Sequence, residues 1–306
     1  MKAYVRTDAS SDTVELQDVA LPQIDADEVL VKMSAFGVGV HDRYFIPKDA
    51  NFPYVIGLEG AGIISKVGSQ VKEFRSGDKV ILSSSLLVKG GSWAQFVAVP
   101  QGNVVHLPKQ LDLKLAAVLP VAGKTAMECF RALNLTAGDT LFIAGASGAI
   151  GTLVIQLARN QGVRVIASAS KGNHEYMQSL GAQITVDYQD PHWKQAVLAS
   201  APNGVDIALA IQRNTTQDSM EVVKDHGTVI SVSGDLVTGQ RGIDVKQLEH
   251  RLSFQEAIDD ILNIIISGKL SIVVEKQFAF ADALDALQKT ETRHARGKLL
   301  VNVESQ

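Results

Sequence analysis

The residues Gly145-Ala146-Ser147-Gly148-Ala149-Ile150-Gly151 carry the clearest chemistry in this chain. They follow the apolar run Leu141-Phe142-Ile143-Ala144 and open a helical pattern that runs from Thr152 to Asn160. A turn between a buried strand and a helix aims backbone N–H groups and the positive helix end at one spot, which suits a pyrophosphate. Glycines there permit the tight turn and the close approach of a ligand. Dinucleotide binding through Gly145, Ala146, Ser147, Gly148, Ala149 and Ile150 is therefore expected. The competing account is a strand-helix turn needed only for packing.

The next strand selects the dinucleotide. An acidic residue at its end would accept hydrogen bonds from the ribose 2′-OH of NAD. Here the stretch is Ala167-Ser168-Ala169-Ser170-Lys171, with no acid. The hydroxyls of Ser168 and Ser170 with the Lys171 cation would instead hold a 2′-phosphate through charge-assisted bonds. NADPH is the expected cofactor, and the alternative is a solvated loop in which Ser and Lys are merely common.

These residues must be positioned by a scaffold, and the chain has the length for one. Its 306 residues, 46% hydrophobic and 20% charged, suffice for two cores. Up to about residue 114 the sequence shows short β-rich runs such as Val29–Met33, Ala61–Ser65, Lys79–Leu82 and Phe96–Val99, separated by turn residues. That texture predicts a barrel-like β domain. From Leu115 onward helical patterns alternate with apolar strands, which predicts a doubly wound parallel sheet of Rossmann type. Helices are expected at His174–Leu180, Ala126–Leu133, Phe254–Ser267 and Ala281–Lys289, and a last strand at Lys298–Val303.

Charge and composition narrow the partners. A net charge of -4 offers no basic face for a phosphate backbone, so nucleic acid is not an expected partner. The start Met1-Lys2-Ala3-Tyr4-Val5-Arg6 passes into an alternating strand pattern that fits neither signal nor transit peptide, and runs such as Ile261–Ile266 are too short to span a bilayer. A cytoplasmic location without membrane association is the default. One cysteine, Cys129, excludes an internal disulfide and a multi-cysteine zinc site.

Several segments, in order, extend the argument to the whole chain: Gly37-Val38-Gly39-Val40-His41-Asp42-Arg43-Tyr44, Pro53 to Gly62, Val67-Gly68, Gly77-Asp78-Lys79-Val80, Gly91 to Phe96, Leu119 to Ala126, the glycine loop, Leu180-Gly181-Ala182, Val232-Ser233-Gly234 and Gly297-Lys298. With them the chain resembles the medium-chain dehydrogenase/reductase superfamily, and more closely its zinc-free quinone oxidoreductase branch, the zeta-crystallin-like group. The resemblance implies an α/β fold with a chaperonin-10-like β-barrel domain, residues 1–114 and 268–306, and a Rossmann dinucleotide-binding domain, residues 115–267. It implies a homodimer that passes hydride from NADPH to a small electrophilic acceptor, a quinone or α,β-unsaturated carbonyl. A non-catalytic NADPH-binding or redox-sensing protein of the same fold is the alternative.

The resemblance also assigns residues. Zinc-dependent members carry cysteine at the position of Gly39 and histidine at that of Leu58; neither residue here offers a lone pair to a metal. No metal is expected, and His41 lacks partner ligands in the sequence. Hydride delivery without a Lewis acid suits acceptors already activated by conjugation. The quinone reductase group usually has asparagine at Gly39, so acceptor preference is open. Tyr44 matches a tyrosine facing the nicotinamide cleft and is either the proton donor or an aromatic packing residue. Tyr188 matches one that flanks the 2′-phosphate, or is a strand-end aromatic. Thr125 approaches the nicotinamide side, or caps a helix. Ser233 and Gly234 mark the strand end that holds the carboxamide, or a plain turn. Lys298 belongs to the closing Gly-Lys pair, or is an exposed cation. Glu59 reads as buried or catalytic, Arg213 as a phosphate contact or an exposed arginine, and Cys129 as core. The segment Arg251 to Glu256 is shorter than in similar proteins, where it lies near the substrate cleft and the subunit interface.

Overall fold

The computed structural model describes residues 1–303, which fall into two compact units. The first comprises Met1–Lys124, Ser253–Ile266 and the described residues from Val274 on; the second comprises Thr125–Leu252 and Ser267–Val273. Residues 115–124 and the helix Phe254–Ile266 thus pack with the first unit, which differs from the expected boundaries. The helix explains the difference. Its buried stripe, Phe254, Ala257, Ile258, Ile261 and Leu262, recurs at helical spacing, which fixes a face but not the sheet that the face covers. Ile258 and Ile261 meet Gly123, and Gln255 Nε2 donates to the Val104 carbonyl at 3.5 Å.

In the first unit the 11-residue strand Glu28–Val38 organises the sheet. Lys32 to Glu28 pair with Phe96–Pro100, and Ala35 to Val38 pair with the last strand, Lys298–Asn302. Its other edge carries Glu59–Val67, followed by Lys79–Ser83 and Val104–His106. Every residue of Glu28–Val38 except Lys32 is buried, because sheet neighbours and core enclose the strand on all sides. A smaller sheet joins Val14–Asp18, Lys2–Arg6 and Tyr54–Val55. Between the two sheets the fully buried Trp93 stacks on Phe36 at 4.8 Å and meets the Tyr4 ring edge-on at 5.8 Å.

The second unit is a six-stranded, wholly parallel sheet in the order Ile184–Val186, Arg164–Ser168, Thr140–Ala144, Val205–Ala210, Val223–Ser231, Asp244–Gln247. Numbered along the unit this is 3-2-1-4-5-6, the doubly wound order, with its switch point between Thr140–Ala144 and Val205–Ala210. The helix that follows the first strand spans Ala149–Asn160, three residues earlier than the sequence pattern indicated. Its residues Gly151 to Ala158 are all buried. The helix Pro120–Leu133 carries Cys129, whose side chain is fully buried. Among the described residues no helix is long and apolar enough to cross a membrane.

Candidate functional site

The glycine loop sits at the carboxyl end of the strand Thr140–Ala144, beside the switch point, where doubly wound sheets bind their ligands. Three glycines shape it in three ways. Gly145 has φ +82°, a conformation that a side chain resists. At Gly151 a Cβ would lie 2.5 Å from the Ala146 oxygen, so glycine lets the helix press against the loop backbone. Gly148 differs: a Cβ there would meet only the Gly145 oxygen, at 3.6 Å. Protein fills the space at the outer glycines and leaves it open at the middle one. Gly148 also precedes the first turn of a 12-residue helix without a side-chain cap, so that turn's N–H groups suit an anion.

The end of the second strand closes on the same loop. The Ser168 carbonyl accepts from Gly145 N–H at 3.2 Å and Ala146 N–H at 3.0 Å, and the Ser168 side chain is buried. The short turn Lys171–Asn173 then folds back, and Asn173 Nδ2 donates to Ser147 Oγ and Ser170 Oγ, each at 3.2 Å. Two expected residues, Ser147 and Ser170, are thereby joined by one that sequence reasoning did not single out. Lys171 is exposed. Tyr188, half exposed, lies just beyond the third strand, whose Val186 carbonyl accepts from Ala169 N–H at 3.2 Å. Thr152 Oγ1 and Tyr176 Oη, 2.8 Å apart, brace the helix from the side of the second crossover.

At the fifth strand Ser233 follows Ser231, their hydroxyls 3.5 Å apart, and Gly234 turns the chain with φ +80° and open space where a Cβ would stand. Thr216 Oγ1 donates within this group, 3.0 Å from both Ser231 Oγ and Asp235 Oδ2. Thr125 is no cap: it is the sixth residue of Pro120–Leu133, because the helix begins at Pro120, where a missing N–H costs nothing. Arg213 is exposed, beside Asn214 with φ +63°.

The first unit holds a separate cluster of charges. Lys298 is a buried cation, not an exposed one: its ammonium pairs with Glu59 Oε1. Glu59 Oε2 accepts from Val121 N–H at 2.7 Å, the second residue of Pro120–Leu133, so the carboxylate also meets the positive helix end. Asp42, which sequence reasoning passed over, is 2% exposed. Its Oδ2 accepts from Gly39 N–H at 2.9 Å and Trp93 Nε1–H at 3.1 Å. Burial drives the Asp42 carboxyl up to about 7, against the pull of Lys298 and the Gly39 N–H, and burial raises Glu59 against the same ammonium. A Cβ at Gly39 would lie 3.4 Å from Asp42 Oδ1 and 3.9 Å from Lys298 Nζ. Leu58 is buried, Tyr44 is 52% exposed, and His41 packs on Phe45 at 5.0 Å between ring centres.

A doubly wound sheet with a three-glycine loop at its switch point, in a chain that also carries a β-rich unit closed by its own C-terminal strand, defines a dinucleotide-dependent oxidoreductase fold. Residues 25–109 match the family model of the alcohol dehydrogenase GroES-like domain, and residues 180–301 match that of the zinc-binding dehydrogenases. The chain is 31% identical over 319 residues to the 2-methylene-furan-3-one reductase of Solanum lycopersicum, covering 99% of this chain and 79% of that protein. It is equally 31% identical to the chloroplastic NADPH-dependent alkenal/one oxidoreductase of Arabidopsis thaliana, covering 98% and 79%. The solved quinone oxidoreductase of Coxiella burnetii superposes with a TM-score of 0.88 at 26% identity, covering 99% of both chains. The chain belongs to the medium-chain dehydrogenase/reductase superfamily, in its quinone oxidoreductase branch.

Proposed function

We propose that this chain is an NADPH-dependent, zinc-independent reductase that delivers hydride to a quinone or an α,β-unsaturated carbonyl. The observation that carries the cofactor half is the glycine loop, whose middle glycine leaves a cradle that protein does not fill. The residues fit the group. Gly148 and the N–H groups of Ala149 and Ile150 would face the pyrophosphate. Ser170 and Lys171, with Ser147 joined to them through Asn173 and Tyr188 beside them, would hold the 2′-phosphate, while Ser168, expected with them, has a buried side chain. Thr125, Ser233 and Gly234 would place the nicotinamide end, and the reading gives Lys298 a part in holding the same cofactor. When bound, the nicotinamide supplies the hydride; the protein supplies position, charge and the exclusion of water.

Zinc independence rests on what surrounds Gly39. Neither Gly39 nor Leu58 carries a ligand atom, and the Lys298 ammonium near the Gly39 position disfavours a dication there. Tyr44, about half exposed, is the proposed proton donor to the reduced acceptor, with water as the alternative. The names of the two plant relatives, a furanone reductase and an alkenal/one oxidoreductase, support conjugated acceptors. The same reading has the chain act as a cytoplasmic homodimer, and relatives from chloroplasts and mitochondria make location the part to check first. A nucleotide-binding protein without turnover is the second reading, favoured by the missing side chain at Gly39.

The test is the rate of NADPH oxidation with a panel of quinones, enones and saturated ketones, with and without a zinc chelator. Faster oxidation with conjugated acceptors alone, unmoved by the chelator, is expected. Binding of NADPH without acceleration by any acceptor would leave the non-catalytic reading standing.

A further inference from the structure

Asn173 makes an arrangement with a chemical direction. A side-chain amide nitrogen carries two hydrogens and accepts none, so the serine oxygens at its two 3.2 Å contacts must both be acceptors there. Each serine has a single O–H hydrogen, and neither hydroxyl makes another hydrogen bond among the described residues. Both hydrogens are therefore left to point away from Asn173. One belongs to the glycine loop and the other to the end of the second strand, the two elements that meet the adenosine ribose in this fold. Asn173 is itself 8% exposed, and its backbone N–H closes on the Ser170 carbonyl at 2.9 Å, which fixes the turn that carries it.

From this geometry we infer that Asn173 sets the NADPH preference, by holding the Ser147 and Ser170 hydroxyls as a pair of outward hydrogen-bond donors for the 2′-phosphate. The inference rests on the cofactor reading above. Asn173 is a positioning residue that meets the serines, and the exposed Lys171 adds charge at the rim. Two O–H donors held on one amide nitrogen suit an anion with several acceptor oxygens better than a lone ribose hydroxyl, which must also place its own hydrogen. The device does without a buried cation: it orients neutral donors by a neutral amide.

The decisive substitution is Asn173→Asp, which keeps the shape and exchanges two donors for two acceptors. Both serine hydrogens would turn inward, and a negative charge would join the site. Affinities for NADPH, NADH, 2′,5′-ADP and 5′-AMP are measured by titration calorimetry on the full chain, together with KM for NADPH and NADH. NADPH and 2′,5′-ADP are expected to weaken about a hundredfold or more in Asn173→Asp, while NADH and 5′-AMP change less than about threefold. Asn173→Ala, which frees the hydroxyls without adding charge, is expected to weaken NADPH about tenfold. A parent protein that binds NADPH and NADH alike overturns the cofactor reading itself. A parent that prefers NADPH, with an Asn173→Asp variant that keeps the preference or weakens all four ligands equally, overturns the role of Asn173 alone.

Discussion

Lys298 sets its ammonium against one oxygen of Glu59 while the other oxygen takes the Val121 N–H at 2.7 Å, so a single carboxylate ties the last strand to the start of the helix Pro120–Leu133. Glu59 is 1% exposed, and removal of its partner leaves a charge with no water to turn to. Lys298→Met should cost about 3–5 kcal/mol in urea unfolding. Adding Glu59→Gln should recover a large part of that loss, because the stranded charge goes with it. A loss under about 1 kcal/mol in the single variant would show that the pair contributes little.

Asp42 gives the first unit a pH signature. Its carboxyl titrates near 7 in the folded chain, against 3.8 as the ordinary value, with burial as the chief cause. Between those two values the unfolded chain has released the proton that the folded chain still holds, so stability falls as pH rises through that window and levels off above it. Asp42→Asn keeps an oxygen to accept from Gly39 and Trp93 and removes the ionisation. The melting temperature of the variant relative to the parent should climb from about pH 4 to about pH 8. A flat difference across that range would mean that Asp42 ionises in the folded state like a surface carboxylate.

The glycines of the loop should separate binding from stability. Gly148→Ala places its methyl in open space, so unfolding should change by less than about 1 kcal/mol while NADPH affinity drops roughly tenfold or more. Gly151→Ala drives a methyl into the Ala146 backbone and should destabilise the fold by about 1–3 kcal/mol. Calorimetric binding and chemical denaturation of the two variants, side by side, decide the matter. Equal losses of stability would refute the division of roles.

Tyr44→Phe tests the proton donor. The ring stays, the residue is half exposed, and stability should hold within about 0.5 kcal/mol. If the hydroxyl gives the proton, kcat for an enone should fall about 10²-fold or more with KM for NADPH unchanged. An unchanged kcat assigns the proton to water.

The fold was legible where local pattern and loop chemistry agree. The strand Leu141–Ala144, the glycines behind it and the acid-free Ser168 to Lys171 announced a doubly wound sheet and its ligand, and the 3-2-1-4-5-6 order bears out the first. What failed needed contacts that sequence does not carry. The stripe of Phe254–Ile266 shows a buried face but not its partner, and the helix packs with the first unit where the pattern suggests the second. Thr125 resembles a cap until Pro120 is seen to begin the helix. Lys298 resembles a surface cation because its partner lies 239 positions earlier in the chain, at Glu59. Asn173 gave no signal: an asparagine before a helix is ordinary, and only the fold brings Ser147 within 3.2 Å of it. Asp42 was visible in the Gly39 to Tyr44 segment, and an acid three residues from an uncovered glycine could have been flagged.

Cys129, the one cysteine of the chain, has a fully buried side chain, and burial with the neighbouring Glu128 charge pushes its thiol up to about 12. Thiolates are the groups that quinones and enals alkylate, and a thiol so placed is almost never ionised. On the function proposed above, a catalyst that meets such acceptors thus keeps its one thiol out of their reach. It should outlast repeated exposure to reactive electrophiles that inactivate cysteine-bearing proteins around it.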